Sequence, residues 1–191
     1  MLVMIATPRI TEPTIDRIDL DTYHGMIDAG IFTGRNIELL NGQLIEMPPE
    51  SPQHANSIRK AAKRLRKLLG EWAEVSEGHP ITLPHDGEPI PDIAVIKDLN
   101  YGDCHPGPSD VYLIIEYSNS TLCYDLGDKR EAYAFDGIPE YWVANLNPTT
   151  VTVHRDPAGE LYQDVSAHSV GEILTCLAFP NTAIAIGDLL A

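Results

Sequence analysis

The spacing of apolar residues in the first third of the chain predicts a β-hairpin followed by an amphipathic helix. Two short runs, Ile37–Leu40 and Gln43–Glu46, flank an Asn-Gly dipeptide, which favours a two-residue turn because both turn positions need a positive φ. Ser51 then suits a helix cap and Pro52 a first helical turn. Apolar residues that recur at spacings of three and four predict one apolar helix face; they are Ile58, Ala61, Ala62, Leu65, Leu68, Leu69 and Trp72.

Short apolar runs in the rest of the chain predict the strands of a sheet. Val111–Tyr117 is almost wholly apolar, which is typical of a central strand buried on both faces. A helix is predicted after Asn119 and runs to about Phe135, where Gly137–Pro139 breaks it. Further strands are predicted at Asp92–Ile96, Tyr141–Asn145, Thr150–Arg155 and Leu161–Val165. The pattern therefore predicts an α/β (α+β) domain, in which helices flank a central mixed β-sheet entered by an N-terminal β-hairpin.

The composition is that of one globular domain. A length of 191 residues suits a single core, and 43% hydrophobic with 21% charged residues excludes a disordered or fibrous chain. We expect a flexible N-terminal arm at residues 1–15 and a single domain over residues 16–191. Because no apolar run approaches the roughly 20 residues that span a bilayer, we expect no membrane segment. The three cysteines are widely spaced, without a CxxC pair, which argues against a disulfide framework and favours a cytoplasmic location.

The charge of the chain is strongly acidic but unevenly distributed. Thirteen basic residues against twenty-eight acidic ones give a formal net charge of −15, and such a surface repels nucleic acid at long range. Six of the basic residues, however, fall in one short stretch of the predicted helix: Arg59, Lys60, Lys63, Arg64, Arg66 and Lys67. This stretch is either a track for DNA phosphates or a solvated helix face. The candidate DNA-binding residues are Arg59, Lys60, Lys63, Arg64 and Lys67.

Three charged residues interrupt apolar elements and are the candidates for chemistry. Asp92 opens one predicted strand and Glu116 lies near the end of another, where a carboxylate is costly unless it is paired or binds a metal. Two such carboxylates on adjacent strands favour a divalent cation, with Mg²⁺ or Mn²⁺ as the usual partner of oxygen ligands. Leu126, Lys129 and Tyr133 share one helix face at spacings of three and four. Lys129 therefore points toward the sheet, where it needs Glu116, Asp125 or a bound anion as a partner. The alternatives are carboxylates that only end their strands and a surface Asp125–Lys129 pair.

These residues together resemble the signature of the PD-(D/E)xK nuclease superfamily, which has the restriction-endonuclease-like fold. The matching segments are Pro91-Asp92, Glu116-Tyr117-Ser118 and Lys129. In the signature a lysine follows the glutamate by two residues. Here that position is Ser118, which in a strand shares a face with Glu116. Several branches carry the lysine on the following helix instead, where Lys129 is placed. The chain is most similar to one such branch, of uncharacterised restriction endonucleases, over residues 20–190.

Several other motifs of that branch occur here in the same order. They are the hairpin Glu38–Gly42, the segment Met47–His54, and the ending Gly137–Trp142, which reads Gly-Ile-Pro-Glu-Tyr-Trp. Each piece is weak alone, whereas their order and spacing together are fairly specific.

The resemblance implies a Mg²⁺-dependent (or Mn²⁺-dependent) endonuclease that hydrolyses DNA phosphodiester bonds. The implied metal ligands are Asp92, Glu116 and the backbone carbonyl of Tyr117. Lys129 would orient the attacking water or stabilise the charge that develops on the phosphoryl group. The candidate supporting residues are Glu38, His54 and Ser118. His54 could bind a second metal, contact phosphate or hydrogen-bond a carboxylate, or it could be an ordinary histidine at a helix start, and Glu38 could be a simple rim residue.

The expected partners are DNA and a second copy of the chain. A homodimer is expected by analogy, because cutting both strands of a duplex usually takes two sites. Two rival functions stay open. The acidic surface and the missing lysine at Ser118 favour a catalytically degenerate nuclease-fold module that only binds. A metal-dependent hydrolase of small phosphorylated substrates is the other, because repulsion from DNA would not matter to it.

Overall fold

The computed structural model describes residues 15–190. The predicted arm at residues 1–15, except for its last residue, lies outside the described residues. The helices are α1 Leu20–Asp28, α2 Pro52–Leu69, α3 Leu122–Tyr124, α4 Arg130–Phe135 and α5 Ile186–Leu189, with a π-helical turn Asp125–Lys129 joining α3 to α4. The strands are β1 Ile37–Leu40, β2 Gln43–Glu46, β3 Glu74–Glu77, β4 Ile93–Ile96, β5 Val111–Ser118, β6 Glu140–Leu146, β7 Thr149–Ala158, β8 Leu161–Ser169, β9 Ile173–Cys176 and β10 Phe179–Ala185. Short 3₁₀ turns occur at Gly70–Trp72 and Pro108–Asp110.

A six-stranded mixed sheet forms the centre of the fold, with the order β3-β4-β5-β6-β7-β8. Strands β5 and β6 run parallel, whereas the other neighbours in this sheet are antiparallel. The parallel pair follows from the connection, because a helical crossover of α3, the π turn and α4 returns the chain to the same end of the sheet. The predicted central mixed sheet flanked by helices is confirmed.

The two faces of this sheet bury different cores because successive strand residues point to opposite sides. Leu113, Ile115 and Tyr117 of β5 pack in the core that contains α2. Ile114 packs in the core that contains α4. Glu116 shares the parity of Ile114, and the strand therefore directs this carboxylate to the α4 side.

The β1–β2 hairpin forms at the predicted residues. Asn41 and Gly42 have φ values of 50° and 71°, as the two-residue turn requires. All four residues of β1 are buried, whereas β2 is largely exposed. Glu38 on β1 therefore lies inside the molecule, not on a rim.

Helix α2 begins at its predicted cap and ends before the predicted apolar face does. The Ser51 hydroxyl accepts the amide of His54 at 3.3 Å. Gly70 ends the helix with a φ of 57°, a conformation that glycine adopts at no steric cost. The chain changes direction there, and Trp72, predicted on the apolar face, is instead 69% exposed.

Candidate active site

Two carboxylates lie side by side where β4 begins and β5 ends. Ile93 is opposite Ile115 in the antiparallel register, so Asp92, one residue earlier, faces Glu116. The amide of Asp92 donates to Glu116 Oε2 at 3.2 Å, and the amide of Tyr117 donates to Asp92 Oδ2 at 2.7 Å. These reciprocal hydrogen bonds hold both carboxylates at one end of the two strands.

Lys129 is buried against these carboxylates. Its Nζ lies 2.9 Å from Glu116 Oε1 and 3.4 Å from Glu38 Oε2, and the residue is 1% exposed. Burial by itself lowers the pKa of a lysine, but the charges of Glu116, Glu38 and Asp125 raise the pKa of Lys129 above its usual value. The ammonium therefore stays charged. Asp125 and Lys129 are the two ends of the π turn, an element that is frequent at functional sites.

The β1–β2 hairpin contributes Glu38 to the same cluster. The amide of Ile90 donates to Glu38 Oε2 at 3.0 Å, and the Tyr124 hydroxyl donates to Oε1 at 2.9 Å. Glu38 is 1% exposed. It therefore forms a second buried ion pair with Lys129 and helps to fix the position of the ammonium.

Ser118 lies on the Glu116 face of β5, as predicted, but its hydroxyl serves a different carboxylate. It donates to Asp125 Oδ2 at 2.6 Å, and the Thr121 hydroxyl donates to the same oxygen at 2.7 Å. Asp125 is 2% exposed. The structure thus places Asp125, named from the sequence only as a possible partner of Lys129, inside the site, with Ser118 as its hydrogen-bond partner.

Glu116 lies at the centre of this acidic cluster. Burial raises the pKa of Glu116, and the charge of Lys129 lowers it. The negative charges of Asp92, Asp125 and Glu38 raise it further, so that the pKa of Glu116 is about 8. The Tyr133 hydroxyl also donates to its Oε1 at 3.0 Å. The cluster therefore holds more negative charge than Lys129 neutralises.

His54 of α2 lies beside Asp92 in this cluster. Its Nε2 donates to the Tyr117 carbonyl at 2.6 Å and lies 3.2 Å from Asp92 Oδ2. Its Nδ1 lies 3.0 Å from Glu50 Oε1, one helical turn earlier. Burial lowers the pKa of His54, but hydrogen bonds and charge from Asp92, together with Glu50, outweigh it and raise the pKa to about 9.

These side chains line a cavity of about 340 Å³. Glu116 Oε1 is occupied by Lys129 and Tyr133, whereas Oε2 accepts one hydrogen bond. Asp92 Oδ2 faces the Tyr117 amide and His54 Nε2, whereas Asp92 Oδ1 takes part in neither contact. Oxygen atoms with free lone pairs in a negatively charged cavity are a donor set that fits Mg²⁺ or Mn²⁺, so the residues present fit the metal that the resemblance implies.

Over residues 20–187, the sequence matches the family model described as "Uma2: Putative restriction endonuclease". The chain belongs to the Uma2 family. The resemblance to restriction-endonuclease-like proteins is thus confirmed, and the family supports a nuclease at a coarse level. A search of curated proteins returned no match.

The fold of this Uma2 chain is also found in a solved structure. It is similar to the crystal structure of "a putative nuclease belonging to DUF820" from Anabaena variabilis ATCC 29413, with a TM-score of 0.70 and 17% sequence identity. The alignment covers 91% of this chain and 97% of that one. At this identity the likeness shows the fold, and it agrees with the restriction-endonuclease-like architecture.

The basic residues of α2 lie away from the cavity of this Uma2 chain. A helix turns about 100° per residue, which places the exposed side chains Arg59, Lys60, Lys63 and Lys67 on the face opposite the buried one; we call these four residues the basic stripe. Two neighbouring cations are engaged elsewhere: Arg64 pairs with Asp188 at 2.8 Å and Arg66 with Glu77 at 2.6 Å.

Sequence reasoning missed part of the hydrogen-bonding shell of this site. Tyr133 was predicted on the Lys129 face, but its hydrogen bond to Glu116 was not. Glu50 and Tyr124 each contact a candidate residue, and neither interrupts an apolar run. The i,i+4 spacing of Glu50 and His54 was the available signal for one of them. Across residues 15–190, no helix is both long enough and apolar enough to cross a bilayer.

Proposed function

We propose that this protein is a divalent-metal-dependent endonuclease that hydrolyses DNA phosphodiester bonds. The observation that carries the proposal is the convergence of Asp92, Glu116 and Lys129, which are far apart in the chain, on one cavity. Taken singly, each residue has an ordinary structural explanation. Together, the buried Lys129 pairs with Glu116 and Glu38, and Asp92 lines the cavity beside them. This arrangement is costly, and packing alone does not require it.

In this proposal Asp92, Glu116 and the Tyr117 carbonyl hold one Mg²⁺ or Mn²⁺ ion. When bound, the ion supplies a water of lowered pKa and polarises the phosphoryl oxygen. Lys129 lines the cavity, so its ammonium can orient the attacking water or stabilise negative charge that develops on the phosphoryl oxygens. Glu38 acts as a positioning residue, because it forms a second ion pair with the ammonium.

Metal binding and plasmid cleavage test this proposal directly. We expect Mn²⁺ to bind the purified protein in isothermal titration calorimetry, and Asp92→Asn to abolish both Mn²⁺ binding and nicking of supercoiled DNA. Asp164→Asn is the control, since Asp164 is an exposed carboxylate of β8. Cleavage by the Asp92→Asn variant at the wild-type rate would refute the assignment.

DNA is the proposed substrate, and the basic stripe is the proposed contact for phosphates that flank the scissile one. The stripe faces away from His54, so it cannot touch the phosphate under attack. In a binding assay with Ca²⁺ in place of Mg²⁺, we expect the triple variant Lys60→Ala, Lys63→Ala, Lys67→Ala to reduce the slope of log K against log salt by up to about 0.9 per lost contact. Arg64→Ala is the control on the same helix, and an unchanged slope in the triple variant would exclude the stripe.

A hydrolase of small phosphodiesters is the second candidate function. The cavity of about 340 Å³ falls in the size range of small-ligand sites, and a formal charge of −15 opposes DNA at long range. Turnover of bis(p-nitrophenyl) phosphate with Mn²⁺, in a protein that leaves plasmid DNA intact, would favour this candidate over the endonuclease.

Assembly and location complete the proposal. We propose a homodimer, because a duplex cut on both strands presents two scissile bonds, and light scattering on the purified protein measures its mass.

We also propose a cytoplasmic location, because Cys104, Cys123 and Cys176 are all free thiols, which suits a reducing compartment.

A further inference from the structure

The imidazole of His54 occupies a position that metal chemistry explains better than packing does. The two atoms that Nε2 contacts are the Tyr117 carbonyl at 2.6 Å and Asp92 Oδ2 at 3.2 Å. Both belong to groups that the proposed function assigns to the metal. Nε2 therefore lies beside the two oxygen groups that would hold the cation, and it can join them as a ligand once its proton has left.

The other ring nitrogen is held by a carboxylate. Nδ1 lies 3.0 Å from Glu50 Oε1, and Glu50 is half-exposed at the cavity mouth, which both residues line. A histidine that binds a metal through one nitrogen usually donates the N–H of the other to a carboxylate, which fixes the tautomer and the ring orientation. Glu50, His54 and Asp92 also offer ligand atoms that all lie within 4.8 Å of one another.

We propose that His54 binds the metal directly through Nε2, which releases to solvent the proton that it donates to the Tyr117 carbonyl in the metal-free protein, and that this nitrogen ligand makes the site prefer Mn²⁺ to Mg²⁺. The inference rests on the proposed function for the oxygen ligands and adds the ligand that sets selectivity. Mg²⁺ binds oxygen ligands and gives up its waters reluctantly, whereas imidazole nitrogen suits first-row transition ions. Glu50 is a positioning residue that acts through His54.

A second histidine in the chain provides a matched control. His168 has the same i,i+4 contact with a carboxylate, at 2.9 Å between Nδ1 and Glu172 Oε2. Its Nε2, however, faces the Ser166 hydroxyl at 2.8 Å. His168 thus reproduces the Glu–His pair without the Asp92 and Tyr117 oxygens, and we expect it to bind no metal.

Pulsed electron paramagnetic resonance of bound Mn²⁺ tests the ligation without reference to activity. We expect the spectrum of the wild-type protein to show modulation from one ¹⁴N nucleus of imidazole, which disappears in His54→Ala and persists in His168→Ala. Labelling the wild-type protein with ¹⁵N-histidine should change the same modulation, and this measurement needs no variant to fold.

Affinities for the two ions test the selectivity. We expect His54→Ala to weaken Mn²⁺ binding by at least the roughly 10–100-fold that the loss of an outer-shell partner costs, and to weaken Mg²⁺ binding much less. Glu50→Gln should weaken Mn²⁺ binding about tenfold while the ¹⁴N modulation persists.

The outcomes separate this inference from the proposed function. Mn²⁺ that binds the wild-type protein through Asp92, but without ¹⁴N modulation or with an unchanged Mn²⁺/Mg²⁺ ratio in His54→Ala, would overturn the role of His54 and leave the oxygen site intact. A wild-type protein that binds neither ion would overturn both.

Discussion

The buried ammonium of Lys129 makes a large and specific prediction about stability. Lys129→Met keeps a side chain of similar length and removes the charge that contacts Glu116 and Glu38. All three residues are at most 3% exposed, so water cannot solvate the carboxylates that remain. Removing one partner of a buried ion pair costs about 3–5 kcal/mol, and we expect the free energy of unfolding to fall by that amount.

Urea denaturation of the metal-free protein measures this loss. Trp142 is fully buried, so its fluorescence reports the unfolding of the core. Lys97→Met is the control, because Lys97 Nζ lies 3.6 Å from Asp110 Oδ1 with a side chain that is 40% exposed. Exposed pairs contribute about 0–1 kcal/mol, and Lys97→Met should stay within that range.

The origin of the loss can be separated from its size. If unpaired buried carboxylates cause it, then Glu38→Gln in the Lys129→Met background should recover part of the stability, and the double-mutant cycle should show coupling. A loss for Lys129→Met as small as that for Lys97→Met would refute the reasoning, since the ammonium would then behave as a solvated surface charge.

Two further predictions concern the hairpin and the pH. Gly42→Ala should lower the free energy of unfolding by more than about 1 kcal/mol, because a Cβ there would lie 2.7 Å from Arg17 Cβ. The control in urea denaturation is Gly159→Ala, where φ is 60° and a Cβ would meet nothing within 4 Å. We expect this control to lose less stability. The pH prediction rests on Glu116, whose pKa is raised from 4.5 to about 8 in the folded state. Between those pH values the native state binds more protons than the unfolded state. The free energy of unfolding must therefore fall as the pH rises through that window. Thermal unfolding of the metal-free protein from about pH 5 to pH 8 should show this fall, Glu116→Gln should reduce it, and a wild-type stability that rises over this range would contradict the assignment.

The strand and helix patterns predicted the central geometry of the site because they are local. Period-two alternation placed Glu116 and Ser118 on one face of β5, and spacings of three and four placed Lys129 with Tyr133 on one side of the following helix. Both pairs are buried as expected. The contact between Glu116 and Lys129 follows from those two local periods and the packing of one helix on one strand.

The contacts of Glu38 and the hydrogen bonds of Asp125 could not be predicted, because they depend on tertiary packing or on irregular backbone. Glu38 reaches Lys129 only because the whole of β1 is buried against the domain, whereas an isolated hairpin exposes one of its faces. Asp125 was predicted as one possible partner of Lys129, but its hydrogen bonds with Ser118 and Thr121 form at a π turn, which the apolar spacing does not predict. The prediction that Trp72 lies on the apolar helix face was wrong, because the helix ends at Gly70 and the chain changes direction there.

Charge balance within the cavity gives the metal proposal its strongest physical basis. The carboxylates of the cluster are Glu38, Asp92, Glu116 and Asp125, and its cationic groups are Lys129 and His54. The ionised cluster thus has a formal excess of two negative charges in a largely buried volume, which raises the pKa of Glu116 and opposes folding as pH rises. One divalent ion would neutralise that excess, and it would leave one negative charge where His54 gives up its proton to bind the ion. A ligand that binds the folded state alone also stabilises it, so the arrangement that weakens the metal-free protein is the one that gains most from the ion.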